Sequence, residues 1–213
     1  MNHSCIIPEH RWGRTLDLVP NRYLVAITGA SGATYGIRLL EVLKDLRVET
    51  HGIISSAAIA NLKIEKDFDM KDFANLCTVT YDAKDLTAGP ASGSFLMNGM
   101  VIVPCSTKTL GCVAHGISDN LITRSAEVFL KEHRRLVLVP RETPLSLVHL
   151  RNMVLAAEAG AVILPAMPGF YHKPKNVREL VDHVVGKILD ALDIHHELYH
   201  RWADNGWMEN QSD

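Results

Sequence analysis

The sequence predicts an α/β fold built on a doubly wound parallel sheet. Short apolar runs of strand length alternate with longer segments in which apolar residues recur three and four positions apart. Most of the short runs are apolar on both faces, which is typical of parallel strands covered by helices on both sides. Hydrophobic residues make up 47% of the 213 positions, and no repeat or linker divides them, so we predict a single domain.

Five short runs are predicted to be strands. The first reads Tyr23-Leu-Val-Ala-Ile-Thr28 and ends directly before a glycine. Proline follows three of the later runs, and because it cannot donate the next hydrogen bond of a ladder, it is expected to close each strand. The predicted strands are residues 23–28, 48–54, 100–103, 136–139 and 161–164.

Longer segments between these runs are predicted to be helices. Ser55-Ser56 stands before an alanine-rich segment in the position of a helix cap. On the last helix, Leu180, Val184 and Ile188 fall on one apolar stripe. The predicted helices are residues 34–46, the segment after 55–56, and residues 107–115, 120–132, 147–157 and 177–192, while residues 66–95 are expected to be less regular.

Composition disfavours several classes of function. The net charge of −2, without a long run of one sign, disfavours nucleic-acid binding. No window approaches 18 continuous apolar residues, so no transmembrane helix is expected, and residues 1–20 lack the apolar stretch of a signal peptide. The four cysteines form no CxxC pair, which argues against a zinc site or a disulfide framework and favours a reducing, cytoplasmic location.

A histidine cluster near the end of the chain is the one group that resembles metal ligands. If this segment were helical, His196 and His200 would lie one turn apart, next to His195. No carboxylate or cysteine is arranged to complete a site with them, so no metal is expected.

Polar loops follow the predicted strands. Parallel strands present their carboxyl ends at one edge of the sheet, where ligands of doubly wound folds bind, so five such loops together support a site better than any one of them. The loops are Gly29–Gly32, Ser55-Ser56, Cys105–Thr109, Arg141-Glu142 and Met167–Lys173.

The loop Gly29-Ala30-Ser31-Gly32 joins the first strand to a helix. Its backbone N–H groups and the helix dipole favour an anion such as phosphate, and glycine permits close approach. The loop matches neither the Walker pattern, nor the dinucleotide-binding glycine fingerprint, nor the GxSxG elbow of hydrolases. Taken alone, it leaves open a structural alternative in which Ser31 only caps the helix.

Two further loops carry groups suited to a phosphate or a proton. Ser106, Thr107 and Thr109 place hydroxyls at a helix start, although ordinary capping by Ser106 or Thr107 explains them equally well. Arg141 could grip a phosphate with its planar fork, and Glu142 could carry a proton. The structural alternative for these two is a surface Arg–Glu loop.

The loop over residues 165–174 contains three prolines, a glycine and two aromatic rings. It could hold an apolar ligand and offer the Tyr171 hydroxyl, and it is also expected to pack Phe170 inward. Lys187 lies on the flank of the last helix, where a solvated lysine is the simplest interpretation.

Longer motifs extend through these loops in a specific order. They read TGASGATYG, ISSAA, PASGS, VPCSTKTL, DNLITRSAEVFLKE, LVLVPRETPLS and GAVILPAMPGFYHKP, followed by Arg201-Trp202. Together they resemble the UbiX/Pad-type flavin prenyltransferases over about residues 23–202. The resemblance implies a flavodoxin-like, three-layer α/β/α fold that binds FMN, with residues 21–195 as the flavoprotein domain, residues 1–20 as an N-terminal arm and residues 196–213 as a C-terminal tail.

The resemblance also implies an activity. Such an enzyme transfers a dimethylallyl group from dimethylallyl monophosphate to reduced FMN, and the product, prenylated FMN, serves a UbiD-type decarboxylase. The chain lacks the Asp-rich motif that usually binds magnesium and a prenyl diphosphate, which agrees with a less charged monophosphate donor and no metal. The family is usually assembled as a dodecamer with sites between subunits, so a homo-oligomer is expected.

Carried over position by position, the resemblance assigns roles to individual residues. FMN would be bound by Gly29, Ala30, Ser31, Ser55, Ser106, Thr107, Lys108, Thr109 and Arg141. The prenyl phosphate would be held by Tyr171, Lys187, Arg124 and Lys131, with Glu65 reaching a neighbouring subunit's site. Ser31 and Glu142 match the residues implicated in proton handling. Some members carry arginine in place of Lys187 and an aromatic residue in place of Leu86, so the donor pocket is expected to differ in detail.

Two other functions remain open from the sequence. A flavin-dependent cysteine decarboxylase would share the fold, but its typical PASANT and PAMN motifs read PCSTKT and PAMPGFY here. A non-catalytic FMN carrier, or an accessory subunit of an aromatic-acid decarboxylase, would have no use for a second phosphate site. The residues that suggest such a second site are Arg124, Lys131, Arg141, Tyr171 and Lys187.

Overall fold

The computed structural model describes residues 21–65 and 68–202. The predicted arm, residues 1–20, and the last part of the predicted tail, residues 203–213, lie outside the described residues. The strands are β1 (Arg22–Ile27), β2 (Glu49–Ile54), β3 (Val79–Asp82), β4 (Gly99–Cys105), β5 (Arg135–Pro140) and β6 (Val162–Ile163). The α-helices are α1 (Ala33–Asp45), α2 (Ser56–Glu65), α3 (Met70–Leu76), α4 (Thr107–Ala114), α5 (Leu121–Lys131), α6 (Leu147–Glu158) and α7 (Val177–Ala191).

The strands form one parallel sheet in the order β3-β2-β1-β4-β5-β6. The chain starts in the middle with β1, builds outward to β3, and then crosses to β4 and builds toward β6. Apart from the additional edge strand β3, this is the flavodoxin order, with the topological switch point between β1 and β4. The predicted doubly wound, three-layer fold is therefore confirmed.

Two apolar layers lie on opposite faces of the sheet, because successive side chains of a strand point to opposite sides. In the first layer Val25, Leu40 and Ile188 are fully buried where α1 and α7 cover the sheet. In the second layer Leu24 and Phe129 are buried where α4, α5 and α6 cover the other face. This burial on both sides explains why the strand sequences are apolar at successive positions.

The region predicted to be less regular contains a helix and a strand. Asp69 and Asp72 form a reciprocal capping box that starts α3, in which each side chain accepts the backbone N–H of the other residue. The helix has seven residues and buries Phe73, so its sequence carries little apolar periodicity. β3 is a four-residue edge strand whose side chains are mostly exposed, which explains why it lacks an apolar run.

Proline closes the strands less strictly than predicted. β4 continues through Pro104 to Cys105, with a register irregularity between Ile102 and Cys105. The missing N–H of Pro104 explains the irregular ladder, because no donor exists at that position. Pro140 is the last residue of β5, and β6 is reduced to Val162–Ile163 at the edge of the sheet.

The buried Thr28 side chain joins the carboxyl ends of the two central strands. Its hydroxyl donates to the Pro104 carbonyl over 2.8 Å and accepts the Ser106 backbone N–H over 2.8 Å. Its own backbone N–H donates to the same Pro104 carbonyl over 3.2 Å. These bonds hold the loop after β4 against the loop after β1 at the switch point.

Thr28→Val is expected to lower the free energy of unfolding by about 1–3 kcal/mol, because it preserves the side-chain volume but leaves the Ser106 N–H without its acceptor. Thr28→Ser keeps the hydroxyl and should lose less. Urea unfolding of both variants beside the wild type measures the difference. Equal losses in the two variants would contradict a role for the hydroxyl.

Candidate functional site

A row of polar loops lies beyond the switch point. The Ser55 backbone N–H, at the end of β2, donates to Ile27 O over 3.0 Å and so fixes this loop beside the end of β1. The chain after β6 returns to the same edge, where the Ala166 backbone N–H donates to Pro140 O over 3.1 Å. The loops after β1, β2, β4, β5 and β6 are therefore brought to one edge, as the sequence predicts.

The Gly29–Gly32 loop is shaped by two constraints. A β-carbon on Gly29 would lie 2.5 Å from Ala57 Cβ, so glycine is required where α2 approaches. Gly32 has a φ of 95°, a left-handed conformation that favours glycine. Gly32 is the cap residue of α1, whereas Ser31 is exposed and makes no cap bond. The alternative in which Ser31 caps α1 is therefore wrong.

The Glu65 carboxylate lies at the start of α1. Its oxygens accept the backbone N–H groups of Gly32 at 3.1 Å and of Ala33 at 3.2 Å. A carboxylate from the end of α2 thus stands in for the anion that this loop is predicted to attract. Because Glu65 contacts its own chain here, its reach into a neighbouring subunit's site stays a prediction.

Arg141 and Glu142 lie half-buried at the end of β5. The Arg141 guanidinium donates through Nε to the Ser31 carbonyl over 2.9 Å, which fixes the loop after β5 against the loop after β1. Burial raises the pKa of the nearby Tyr35, and the charge of Arg141 opposes this rise. The Glu142 carboxylate accepts the Thr143 backbone N–H over 3.0 Å. Each side chain therefore has its own backbone partner, and the alternative of a surface Arg–Glu loop stays open.

The loop after β4 combines a helix cap with exposed polar groups. Ser106 Oγ accepts the Thr109 backbone N–H over 3.2 Å and donates to Thr109 Oγ1 over 3.0 Å, so Ser106 caps α4 as the structural alternative held. Lys108 is exposed and pairs with Asp119 at 2.5 Å. Burial raises the pKa of the Cys105 thiol to about 12, so this residue is not suited to act as a nucleophile.

Tyr171 lies in a cluster of aromatic and imidazole rings that packs on α7. Its ring makes edge contacts with His172, His183 and Trp202, at centroid distances of 5.4, 5.7 and 5.5 Å. Phe170, by contrast, is 69% exposed, so the prediction that it packs inward is wrong. The loop therefore packs its half-buried tyrosine against α7 and presents its phenylalanine to the outside.

Asp190, which was not among the predicted site residues, organises the surroundings of Lys187. Its carboxylate accepts from Tyr199 Oη and Arg201 Nη2, both at 2.7 Å, and lies 3.3 Å from Lys187 Nζ and 3.2 Å from His196 Nε2. Burial acts to raise the pKa of Asp190, but hydrogen bonds from Arg201, Tyr199 and Lys187 outweigh it and hold the pKa below its ordinary value. Only the spacing of Lys187 and Asp190 on one helix could have revealed this centre from sequence.

The segment after α7 is irregular, so the helical spacing expected for His196 and His200 is wrong. His196 is buried, and the Asp190–Arg201 bond ties the segment to α7. Trp202 is thereby brought to Tyr171. Residues 196–202 pack on the domain, while the predicted division at residue 195 stays a prediction.

Arg124 and Lys131 lie along α5 rather than at the switch point. Arg124 donates through Nε to Ala91 O over 3.1 Å and pairs with Glu127 at 2.9 Å. Lys131 pairs with Glu132 at 2.5 Å and is the last residue of α5, which leads into the amino end of β5. Within one chain, Lys131 therefore lies toward the edge of the sheet opposite the switch-point loops.

Three further findings hold for the described part of the chain. No group of three or more His, Cys, Asp and Glu side chains there could hold a metal ion. None of its helices is long and apolar enough to cross a membrane. Its cysteines, Cys77, Cys105 and Cys112, are free thiols.

A doubly wound parallel sheet with polar loops at its switch point is the architecture typical of mononucleotide-binding proteins. The family model described as Flavoprotein matches residues 14–201 of this chain. The flavin prenyltransferase UbiX of Escherichia coli K12 is 50% identical over 184 residues, which cover 85% of this chain and 97% of that protein. The chain therefore belongs to the flavoprotein family, and within it to the flavin prenyltransferases. It is an enzyme that prenylates a flavin.

Solved structures agree with this membership. AnUbiX, crystallised in complex with FMN and dimethylallyl pyrophosphate, is 47% identical with a TM-score of 0.85, covering 88% of this chain and 98% of its own. The dodecameric FMN-dependent UbiX-like decarboxylase from Escherichia coli O157:H7 is 41% identical, with a TM-score of 0.83. The match covers 85% of this chain and 98% of that protein's chain. An FMN-dependent cysteine decarboxylase from thioviridamide biosynthesis is 16% identical with a TM-score of 0.59 and shares the fold alone.

Asp190→Asn is expected to lower the free energy of unfolding near neutral pH by about 1.5–3 kcal/mol, because hydrogen bonds to a charged group are among the stronger ones. Since the pKa of Asp190 is depressed in the folded state, its stabilisation is complete above the ordinary value of 3.8 and is lost as the pH falls toward the folded-state pKa. The difference between wild type and variant should therefore shrink below about pH 4.

Asp193→Asn is the matched control. Asp193 lies just after the same helix and forms an ion pair with Arg135, but its side chain is 76% exposed. Exposed pairs contribute little, so this variant should stay within about 1 kcal/mol of the wild type. Urea unfolding at neutral and acid pH measures both variants, and equal losses would contradict the anchoring role of Asp190.

Proposed function

We propose that this chain transfers a dimethylallyl group from dimethylallyl monophosphate to reduced FMN and releases prenylated FMN. The observation that carries the proposal is the start of α1, where backbone N–H groups bind a carboxylate beside the Arg141 guanidinium. Reduced FMN supplies the nucleophilic ring atoms that accept the prenyl group. The side chains of this chain bind and orient the two substrates, exclude water and move a proton.

The switch-point loops have the composition that FMN binding needs. Gly29 and the buried Ala30 have little or no side chain, so a flat ring can approach the backbone. The Glu65 carboxylate on the N–H groups of Gly32 and Ala33 supports the binding of an anion at this loop. The residues proposed to bind FMN are Gly29, Ala30, Ser31, Ser55, Ser106, Thr107, Lys108, Thr109 and Arg141.

The donor phosphate is proposed to be bound by Tyr171, Lys187, Arg124 and Lys131. A phosphate monoester carries up to about two negative charges at neutral pH, which cationic side chains can neutralise without magnesium. The sequence has no Asp-rich motif for the metal that a diphosphate would call for. Asp190, 3.3 Å from Lys187 Nζ, orients this lysine before the phosphate binds. A carrier that only stored FMN would have no use for these cations.

Ser31 and Glu142 are proposed to handle the proton that leaves the flavin. The Arg141–Ser31 bond holds the loops that carry both residues against each other. Ser31 is exposed and Glu142 is half-buried, so both can reach a ligand at the switch point. An allylic donor that loses phosphate becomes strongly electron-deficient, so the site must also exclude water. The exposed side chains of Met167, Phe170 and Trp202 offer apolar surface for this purpose.

The complete site is proposed to lie between copies of the chain in a homo-oligomer. One chain keeps Lys131 toward the edge of the sheet opposite the switch-point loops, so a second copy must supply it if it binds the donor. α6 offers a surface for such contacts, because an exposed apolar patch is typical of a protein interface. Its exposed apolar residues are Leu147, Val148, Leu150, Val154 and Leu155. A dodecamer, as in the Escherichia coli O157:H7 relative, is the proposed assembly.

The recipient of the product is proposed to be a UbiD-type decarboxylase. A cytoplasmic location is proposed, since the free thiols of Cys77, Cys105 and Cys112 suit a reducing compartment. Both assignments concern the setting of the enzyme rather than its site.

The test incubates the protein with reduced FMN and either dimethylallyl monophosphate or dimethylallyl diphosphate, without oxygen, and then measures the mass of the flavin. We expect a gain of one prenyl unit with the monophosphate, without added magnesium. A gain with the diphosphate alone would overturn the donor assignment. No gain with either compound would overturn prenyl transfer from a dimethylallyl donor.

In the same assay Glu142→Gln is expected to bind FMN normally and to prenylate it about 10²–10⁴-fold more slowly, the usual effect of losing a proton-transfer group. FMN affinity is followed by quenching of flavin fluorescence. Asp45→Asn, which removes an exposed carboxylate at the end of α1, is the control and should behave like the wild type. Undiminished turnover in Glu142→Gln would remove this residue from the mechanism.

Replacing Leu147 and Val154 together by glutamate is expected to split the oligomer into smaller species, because the added charges cannot be buried unpaired between subunits. Light scattering after size-exclusion chromatography measures the mass. Val177→Glu, at an exposed apolar position on α7, is the control and should leave the mass unchanged. A double variant of wild-type mass would contradict an interface at α6.

A further inference from the structure

Two stacked imidazole rings form the wall against which Tyr171 packs. The rings of His172 and His183 are parallel within 2°, with centroids 5.1 Å apart, and the Tyr171 ring contacts both edge-on. His183 lies on α7 and is 7% exposed. Both ring nitrogens of His172 are buried without a hydrogen-bond partner among the described residues. The loop is therefore held at this point by ring packing and by the hydrogen bond that His183 accepts.

One hydrogen bond defines the protonation state of His183. The Gly169 backbone N–H donates to His183 Nδ1 over 3.3 Å, so Nδ1 carries no proton and the neutral ring is protonated at Nε2. Gly169 lies two residues before Tyr171, and this bond ties their loop to α7. A protonated His183 has two N–H donors and no acceptor, so it cannot make the bond.

The surroundings of His183 favour the neutral ring. Burial is the main cause that lowers its pKa, and His172 and Lys187 lower it further, while Asp190 opposes them. From the C-terminal segment the Tyr199 ring packs on His183 at 4.9 Å, and its hydroxyl donates to Asp190. Because the pKa is depressed below 6.5, the folded protein resists a proton that the unfolded chain accepts, and stability falls as the pH drops below this value.

We propose that His183 is a positioning residue whose neutral ring holds Tyr171 in place, so that protonation of His183 loosens the 165–174 loop and weakens binding of the prenyl donor. The inference rests on the proposed role of Tyr171 in binding the donor phosphate. Protonation removes the acceptor of the Gly169 N–H and sets a cation against His172 and Lys187. The loops proposed to bind FMN do not include these residues, so FMN affinity should not follow the charge of His183.

Donor binding is measured by calorimetry with dimethylallyl monophosphate on protein loaded with oxidised FMN, so that no turnover occurs. The wild type should bind more weakly as the pH falls, by up to about tenfold per pH unit below the pKa of His183, because affinity scales with the competent fraction. The donor phosphate itself takes up a proton near about pH 6. The ratio of wild-type to variant dissociation constants at each pH removes this contribution.

His183→Asn is the conservative variant, because its amide oxygen can accept from Gly169 and does not titrate. Because asparagine lacks the ring that packs against Tyr171, it should bind the donor more weakly than the wild type at about pH 8, and the wild-type to variant ratio should then rise as the pH falls below 6.5 toward the depressed pKa of His183. His183→Phe keeps a ring but loses the acceptor, so it should bind the donor about fivefold more weakly at every pH. In turnover assays both losses should appear in KM for the donor, with kcat little changed.

A second measurement needs no donor. Hydrogen exchange of the 165–174 segment is measured in the wild type and in His183→Asn at each pH, and the ratio of the wild-type rate to the variant rate should rise as the pH falls. If the wild-type to variant ratios of dissociation constants and of exchange rates were both independent of pH, the inference would be overturned. A parallel loss of FMN affinity would also overturn it, because it would indicate that the whole site loosens. A wild type that fails to prenylate FMN at about pH 8 would refute the proposed function, while the exchange data would still decide the role of His183.

Discussion

At the centre of the sheet the Thr28 hydroxyl bonds both the Pro104 carbonyl and the Ser106 backbone N–H. Pro104 has no N–H to continue a regular ladder of hydrogen bonds. The Thr28 side chain, at the end of β1, therefore makes the hydrogen bonds that join the two strand ends. Both loops that follow start from this junction, and their N–H groups and hydroxyls are therefore fixed relative to each other. Arg141 joins the loop after β5 to the loop after β1, because its guanidinium donates to the Ser31 carbonyl. The anion-binding edge depends on these few bonds.

The surroundings of Lys187 and Tyr171 are held by a different kind of anchor. The Asp190 carboxylate gathers Lys187, Tyr199 and Arg201, and the segment it ties down brings Trp202 to Tyr171. The junction at Thr28 uses neutral groups that do not titrate, whereas this cluster combines a carboxylate with stacked imidazoles. The loops after β1 and β4 are thus joined by groups that do not titrate, whereas Tyr171 and Lys187 lie beside His183 and Asp190, whose charges depend on pH.

Elements with a regular apolar pattern could be predicted from the sequence, whereas contacts made by irregular segments could not. The doubly wound sheet follows from runs that are apolar on both faces, and its parallel strands necessarily bring Gly29, Ser106 and Arg141 to one edge. The helix α3 and the strand β3 were not predicted, because they bury too few side chains to show an apolar periodicity in the sequence. The roles of Asp190 and His183 could not be predicted for another reason. Asp190 bonds Arg201 in the irregular segment after α7, and His183 bonds Gly169 in the irregular segment before it, where sequence spacing predicts no contact.

The ion pairs of α5 bear on how a shared site could work. Arg124 already pairs with Glu127 on α5, and Lys131 pairs with Glu132, the residue that follows the helix. Exposed pairs of this kind contribute less than about 1 kcal/mol. A phosphate monoester carries up to about twice the charge of one carboxylate and offers more acceptor oxygens, so it can take over such cations at small cost. The two carboxylates therefore compete only weakly with a phosphate for these cations. Weakly paired cations of this kind suit the proposed site, in which residues of one subunit would bind a phosphate at the sheet edge of another.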